Sequence, residues 1–191
     1  ERLGPALGVA VVVENRPGAA TTLGAGVVAR SDPDGYTVLV NSSAHAIASA
    51  LHPNLAYHPS RDFAAVPPLG VTPVVLVVSP ARGFRTAREL VAAAAAKQGA
   101  VNFSSPGVGS ASHLSAERFR LSAGVAAEHV PFKGGGEAVA AIIGGHVSVG
   151  VSGLSEFTQH IQSGKMRALG VSSAAKIGNI ASLKEQGYNV E

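Results

Sequence analysis

The 191-residue chain has no cysteine and no tryptophan, and only 5% of its residues are aromatic and 14% charged. Without cysteine there is no disulfide scaffold, thiolate metal site, iron–sulfur cluster or cysteine nucleophile. With so few aromatics, the core must be built from Val, Ala, Leu and Ile. The 15 basic and 12 acidic residues leave a net charge of +3. They are scattered, and no five-residue window is a Lys/Arg block, which argues against a nucleic-acid partner. No apolar run reaches the roughly 18 residues of a membrane span. The longest, 71–78 and 138–151, are short, and the second is broken by Gly144, Gly145 and His146. The opening Glu-Arg-Leu-Gly-Pro-Ala-Leu-Gly shows no leader pattern. Leu3 and Leu7 are one helical turn apart and Gly8 sits where a helix closes, so the segment reads as the end of a helix that starts before Glu1.

What is present is apolar and rich in turns: 46% hydrophobic residues, 23 glycines and 11 prolines. A chain of this length and composition is globular and buries roughly 70% of its unfolded surface. Apolar, β-branched runs predict strands at 9–14, 36–40, 74–78, 101–104, 125–130, 147–151 and 166–171. Helices are expected between them, at 21–29, 44–51 with a serine cap, 86–96, 112–121, 137–143 and 157–161. A last short helix opens at 183–185. Thr86 and Glu89 have the spacing of a capping box. Strands alternating with helices indicate an α/β fold with a parallel or mixed sheet. Pro53, Pro59, Pro67, Pro68 and Pro73 make the middle of the first half an irregular connection. They divide the chain into two lobes, with crossings near 74–79 and 169–172.

Three strand-to-helix junctions carry the candidate chemistry. In Ser104-Ser105-Pro106-Gly107-Val108-Gly109-Ser110-Ala111-Ser112-His113, glycines let a ligand approach the backbone. The free N–H groups of the following helix favour an anion, and the serines add donors. Pro131-Phe132-Lys133-Gly134-Gly135-Gly136 is a second such junction, with Lys133 as a point charge. Asn41-Ser42-Ser43-Ala44-His45 is the third. Three junctions of one kind at strand ends suit a ligand crevice in an open α/β fold.

The rival reading of the first loop is a dinucleotide site, with Gly107 and Gly109 as half of a fingerprint and Glu128 about 20 residues on. Its third glycine position holds Ser112. The seven histidines show no metal-binding spacing. The three aspartates, Asp32, Asp34 and Asp62, all lie in turn-like contexts. No nucleophile, base and acid can be assembled from spacing, and no cofactor is implied. The weight moves from an enzyme to a binding module.

The order of these phrases resembles the Bug-type solute-binding receptors of tripartite tricarboxylate transporters. The resemblance runs through Val11-Val12-Val13-Glu14-Asn15-Arg16-Pro17-Gly18-Ala19, Pro33-Asp34-Gly35-Tyr36-Thr37, Tyr57-His58-Pro59 and Arg61-Asp62-Phe63. It continues through the 105–113 loop, His129-Val130-Pro131-Phe132-Lys133-Gly134, Gly164-Lys165-Met166-Arg167-Ala168-Leu169 and Leu183-Lys184-Glu185-Gln186-Gly187. It implies a type II, two-lobed periplasmic-binding-protein-like fold that closes on a small organic anion, often a carboxylate. It also implies a periplasmic monomer with no catalysis that hands its ligand to membrane transport subunits. The lobes fall at 1–78, 79–171 and, returning to the first, 172–191.

The family's ligand positions carry over as Ser42, Ser43 and His45 on one lobe. On the other they are Ser105, Gly107, Gly109, Ser110, His113, Phe132, Lys133 and Gly134. Many members have an Asp-Asn pair after the sixth strand, where this chain has Ser152-Gly153. The resemblance further places the family's first strand and glycine-rich loop before Glu1 and more first-lobe chain after Glu191. It makes the 174–183 stretch shortened.

Overall fold

Val75, Val77 and Val78 are completely buried and Leu76 nearly so, in a strand that offers side chains to both sides of a sheet. A computed structural model, describing residues 2–16, 18–97 and 99–190, shows why. β1 (Val74–Val78) lies inside a mixed five-stranded sheet. The other strands are β2 (Asn102–Ser105), β3 (Glu128–Pro131), β4 (Val149–Gly153) and β5 (Arg167–Val171). The spatial order is β3-β2-β4-β1-β5. β2 is parallel to β3 and β4, whereas β1 is antiparallel to β4 and β5.

Because side chains alternate along a strand, the sheet builds two cores. On one face Leu76, Val78, Phe103, Val149, Val151 and Leu169 meet α4 (Ala87–Ala96) and α5 (Ala111–Ala123) through Leu90, Ala94, Ala116 and Phe119. On the other, Val75, Val77 and Val171 meet Ile142 of α6 (Gly135–Ile143) and Phe157 of α7 (Leu154–Gln162). A sheet covered on both faces explains the near-continuous apolar strands. Each such large side chain contributes roughly 1.5–3 kcal/mol by leaving water.

The expected helix ends are mostly present. Gly8 and Gly124 close α1 (Leu3–Leu7) and α5 in the left-handed region. Thr86 Oγ1 accepts from the Glu89 N–H at 3.2 Å. The return bond of the box goes one residue earlier than expected, from the Arg85 N–H to Glu89 Oε2. At α3 (Ala44–Leu51) the Ser43 side chain makes no cap; Ser42 Oγ accepts from the Ala44 N–H instead.

Three expected elements are absent from the structure. Residues 9–14 and 36–40 form no strand, and Val12, Val13 and Tyr36 are 79–89% exposed. Their sequences favour strand, but no ladder partner exists for them among the described residues, and a lone strand leaves its backbone groups unpaired. The segment 183–185 is a run of turns held by bonds such as Tyr188 N–H to Leu183 O, not a helix. Before β1 the regular elements are α1, α2 (Thr22–Ala29), α3 and a short 3-10 turn. Among them, His45, Tyr57 and Phe63 form an aromatic cluster, with His45 stacked on Tyr57 and edge-on to Phe63.

Candidate functional site

The carboxyl ends of β2, β3 and β4 point the same way, because these strands are mutually parallel. The loops that follow them, and the starts of α5, α6 and α7, therefore share one edge of the sheet. In open α/β sheets that edge is where ligands bind.

After β2 the loop folds on its own hydrogen bonds. Ser110 Oγ donates to the Gly107 carbonyl at 2.8 Å and accepts from the His113 N–H at 3.1 Å, capping α5. The Gly109 N–H donates to His113 Nδ1 at 3.2 Å, so that nitrogen carries no proton. Gly107 and Gly109 sit at φ +143 and +82, conformations that favour glycine. The N–H groups of Ala111 and Ser112, at the first turn of α5, have no partner among the described residues. No acidic residue stands in that turn. Two unpaired donors at a positive helix end are suited to a carboxylate.

Spatially, Ser105, Gly107, Gly109, Ser110 and His113 form one network. Phe132 joins it by its N–H to the Ser105 carbonyl at 3.1 Å. His129 joins from β3: its Nε2 is 2.8 Å from Ser105 Oγ. Its ring is layered between Phe103 at 4.9 Å and His113 at 4.1 Å. Burial, with a further contribution from the neighbouring His113, holds His129 below the usual histidine range, against an opposing pull from Glu117. A serine hydroxyl against a histidine nitrogen is the contact that activates nucleophiles. Here Ser105 is fully buried, and its hydroxyl also bonds the Gly107 carbonyl and N–H. The pair fastens the loop to β3.

The other candidates are placed as follows. Gly134 precedes α6 and Lys133 is exposed, its ammonium without an ion-pair partner among the described residues. Ser152 is buried at the end of β4 and donates to Glu156 Oε2 at 2.9 Å. Ser42 and Ser43 are exposed at the start of α3. His45 uses Nε2 to hold the Pro59 carbonyl at 3.0 Å, within its aromatic cluster. The far end of α3 reaches the loop after β2, where Leu51 lies against Gly109.

The dinucleotide reading fails on register. Glu128 pairs with Asn102 at the amino end of the parallel β2–β3 ladder, whereas the glycine loop leaves Ser105 at the carboxyl end. Three residues of strand, roughly 10 Å, separate the two. A ribose-binding carboxylate belongs at the loop end.

Sequence reasoning passed over four participants. The Ala111 and Ser112 amides follow directly from a Ser cap at 110 and were readable. His129 and Glu156 depend on pairing between segments distant in sequence.

The family model described as tripartite tricarboxylate transporter family receptor matches residues 1–191. The protein BugT of Bordetella pertussis is 35% identical over 187 residues, which is 95% of this chain and 57% of BugT. Rpa4515 of R. palustris, solved with adipate, superimposes with a TM-score of 0.93 at 26% identity, over 98% of this chain and 64% of that one. The periplasmic binding protein BugD gives a TM-score of 0.86 at 30% identity, over 97% and 63%. The chain thus spans about half the length of the curated relatives it matches, 51–57% for the first three. Its α/β architecture is that of periplasmic binding proteins such as BugD. The chain belongs to the tripartite tricarboxylate transporter family of receptors.

Proposed function

We propose that this protein is a periplasmic solute-binding receptor that captures a small organic carboxylate and delivers it, as a monomer, to membrane transport subunits. The observation that carries the reading is the start of α5, where the Ala111 and Ser112 amides are unpaired behind a loop fastened by Ser105, Ser110 and His129. Donors already in place accept an anion without reorganisation. The ligand lies between a first lobe of residues 1–78 and 172–191 and a second of 79–171. Ser42, Ser43 and His45 close from the first lobe. Ser105, Gly107, Gly109, Ser110, His113, Phe132, Lys133, Gly134 and Ser152 line the second. Lobe closure, driven by contacts made best in the closed state, sequesters the ligand. Adipate bound to a structural neighbour supports the ligand class.

Native mass spectrometry of the purified protein, followed by calorimetric titration with the acid it carries, tests this. A bound carboxylate that is recovered unchanged after incubation supports the receptor. A nucleotide, or a catalytically formed product, overturns it.

A further inference from the structure

The two helix starts on the ligand-binding edge differ in charge. The first turn of α5 holds no acidic side chain, whereas that of α6 holds Glu137. Glu137 Oε2 accepts from the Lys133 N–H at 3.3 Å, folding its charge back over the start of its own helix. A second carboxylate arrives from α7. Glu156 Oε2 accepts from the buried Ser152 hydroxyl at 2.9 Å. The same oxygen occupies the space that a β carbon on Gly135 would need, and the Glu156 carboxyl carbon would be 2.9 Å from that β carbon. The Glu156 carboxylate thus packs directly against the start of α6, in space that glycine leaves open. Glu156 is exposed, so its charge faces the open edge.

We infer that Glu156 is a specificity-determining residue: it places a resident carboxylate at the Ser152–Gly135 corner, so the cleft takes one ligand carboxylate at α5 and a hydrogen-bond donor, a hydroxyl or an ammonium, at the far end. Like charges brought together at a binding site are disfavoured, and building in such a clash is a means of discrimination. A dicarboxylate whose second group reaches this corner meets Glu156. An ω-hydroxy or ω-amino acid of the same length meets an acceptor. This inference rests on the carboxylate-receptor reading and sharpens its ligand class.

Calorimetric titration of the purified protein with hexanoate, adipate, ω-hydroxyhexanoate and ω-aminohexanoate, at low salt, tests it. The ω-amino and ω-hydroxy acids are expected to bind roughly 10-fold tighter than adipate, and Glu156→Gln to narrow or reverse that ratio by a similar factor. The preference should shrink as salt is raised, because the carboxylate is exposed. Adipate binding as tightly as the ω-amino acid in the wild type, with no change of ratio in Glu156→Gln, overturns the assignment and leaves the receptor reading standing. Failure of all four acids to bind either form overturns both. A loss of affinity for all four acids equally in Glu156→Gln, with an unchanged ratio, assigns Glu156 to holding Ser152 and also overturns the inference.

Discussion

Leu51 Cδ1, at the end of α3, stands 2.6 Å from where a β carbon on Gly109 would lie. The two residues belong to different halves of the chain, and the contact seats α3 directly on the loop that opens α5. Gly109 is thus constrained twice, by φ +82 and by its neighbour. A side chain at 109 suffers both backbone strain and a collision.

Gly109→Val is expected to abolish ligand binding, and Gly109→Ala to lower stability by about 1–2 kcal/mol. Adding Leu51→Ala removes the collision and leaves the φ strain, so the double variant recovers part of the loss. Denaturant unfolding of the four proteins of this cycle should give a coupling of at least ~0.5 kcal/mol, the scale for touching residues. Strict additivity would show that α3 does not rest on the loop in solution.

The His129 ring is expected to make stability depend on pH. Its value in the folded protein lies below the ordinary 6.5. The unfolded chain therefore binds the proton more readily. Stability is complete above that ordinary value and declines as pH falls through it toward the folded value. Thermal melts from about pH 7.5 down to about 5 should show the melting temperature falling. His129→Gln, which keeps a donor for Ser105 without the titration, should flatten the decline. Parallel profiles for the two proteins would assign the effect to another group.

Gly150 tests the core beneath the site. A β carbon there would strike Ile142 Cδ1 and lie 2.9 Å from Val77 Cγ2. Gly150→Ala is expected to destabilise the fold by about 1–3 kcal/mol, the range for overpacking. Ile142→Val deletes the offending methyl, so the pair should be more stable than Gly150→Ala alone. Chemical denaturation of both variants checks this.

Local signals were legible because their physics is local. The apolar β-branched run at Val74–Val78 needs only its own composition to favour a strand, and the pattern Ser110 then helix needs only the geometry of one turn to supply a cap. The same holds for Gly124, whose left-handed φ of +64 ends α5. So the strands of the sheet, the helices between them and the anion-favouring start of α5 could be read from the order of residues. So could the resemblance to a receptor family.

Residues 9–14 have the same kind of composition as β1, yet they form no strand, since a strand exists only where a neighbour completes its ladder. The register that sets Glu128 at the wrong end of β3 for a ribose arises from the pairing Asn102 with Glu128. Likewise the stack of His113 on His129, the seat of Leu51 on Gly109 and the placement of Glu156 beside Gly135 all join segments far apart in the chain. Composition determined which segments could be strands, helices and anion-binding turns. Which donors stay free and which charges face them was decided only when the crossovers brought β2, β3 and β4 side by side, because hydrogen bonds and Coulomb forces act over ångströms in space and are indifferent to distance along the sequence.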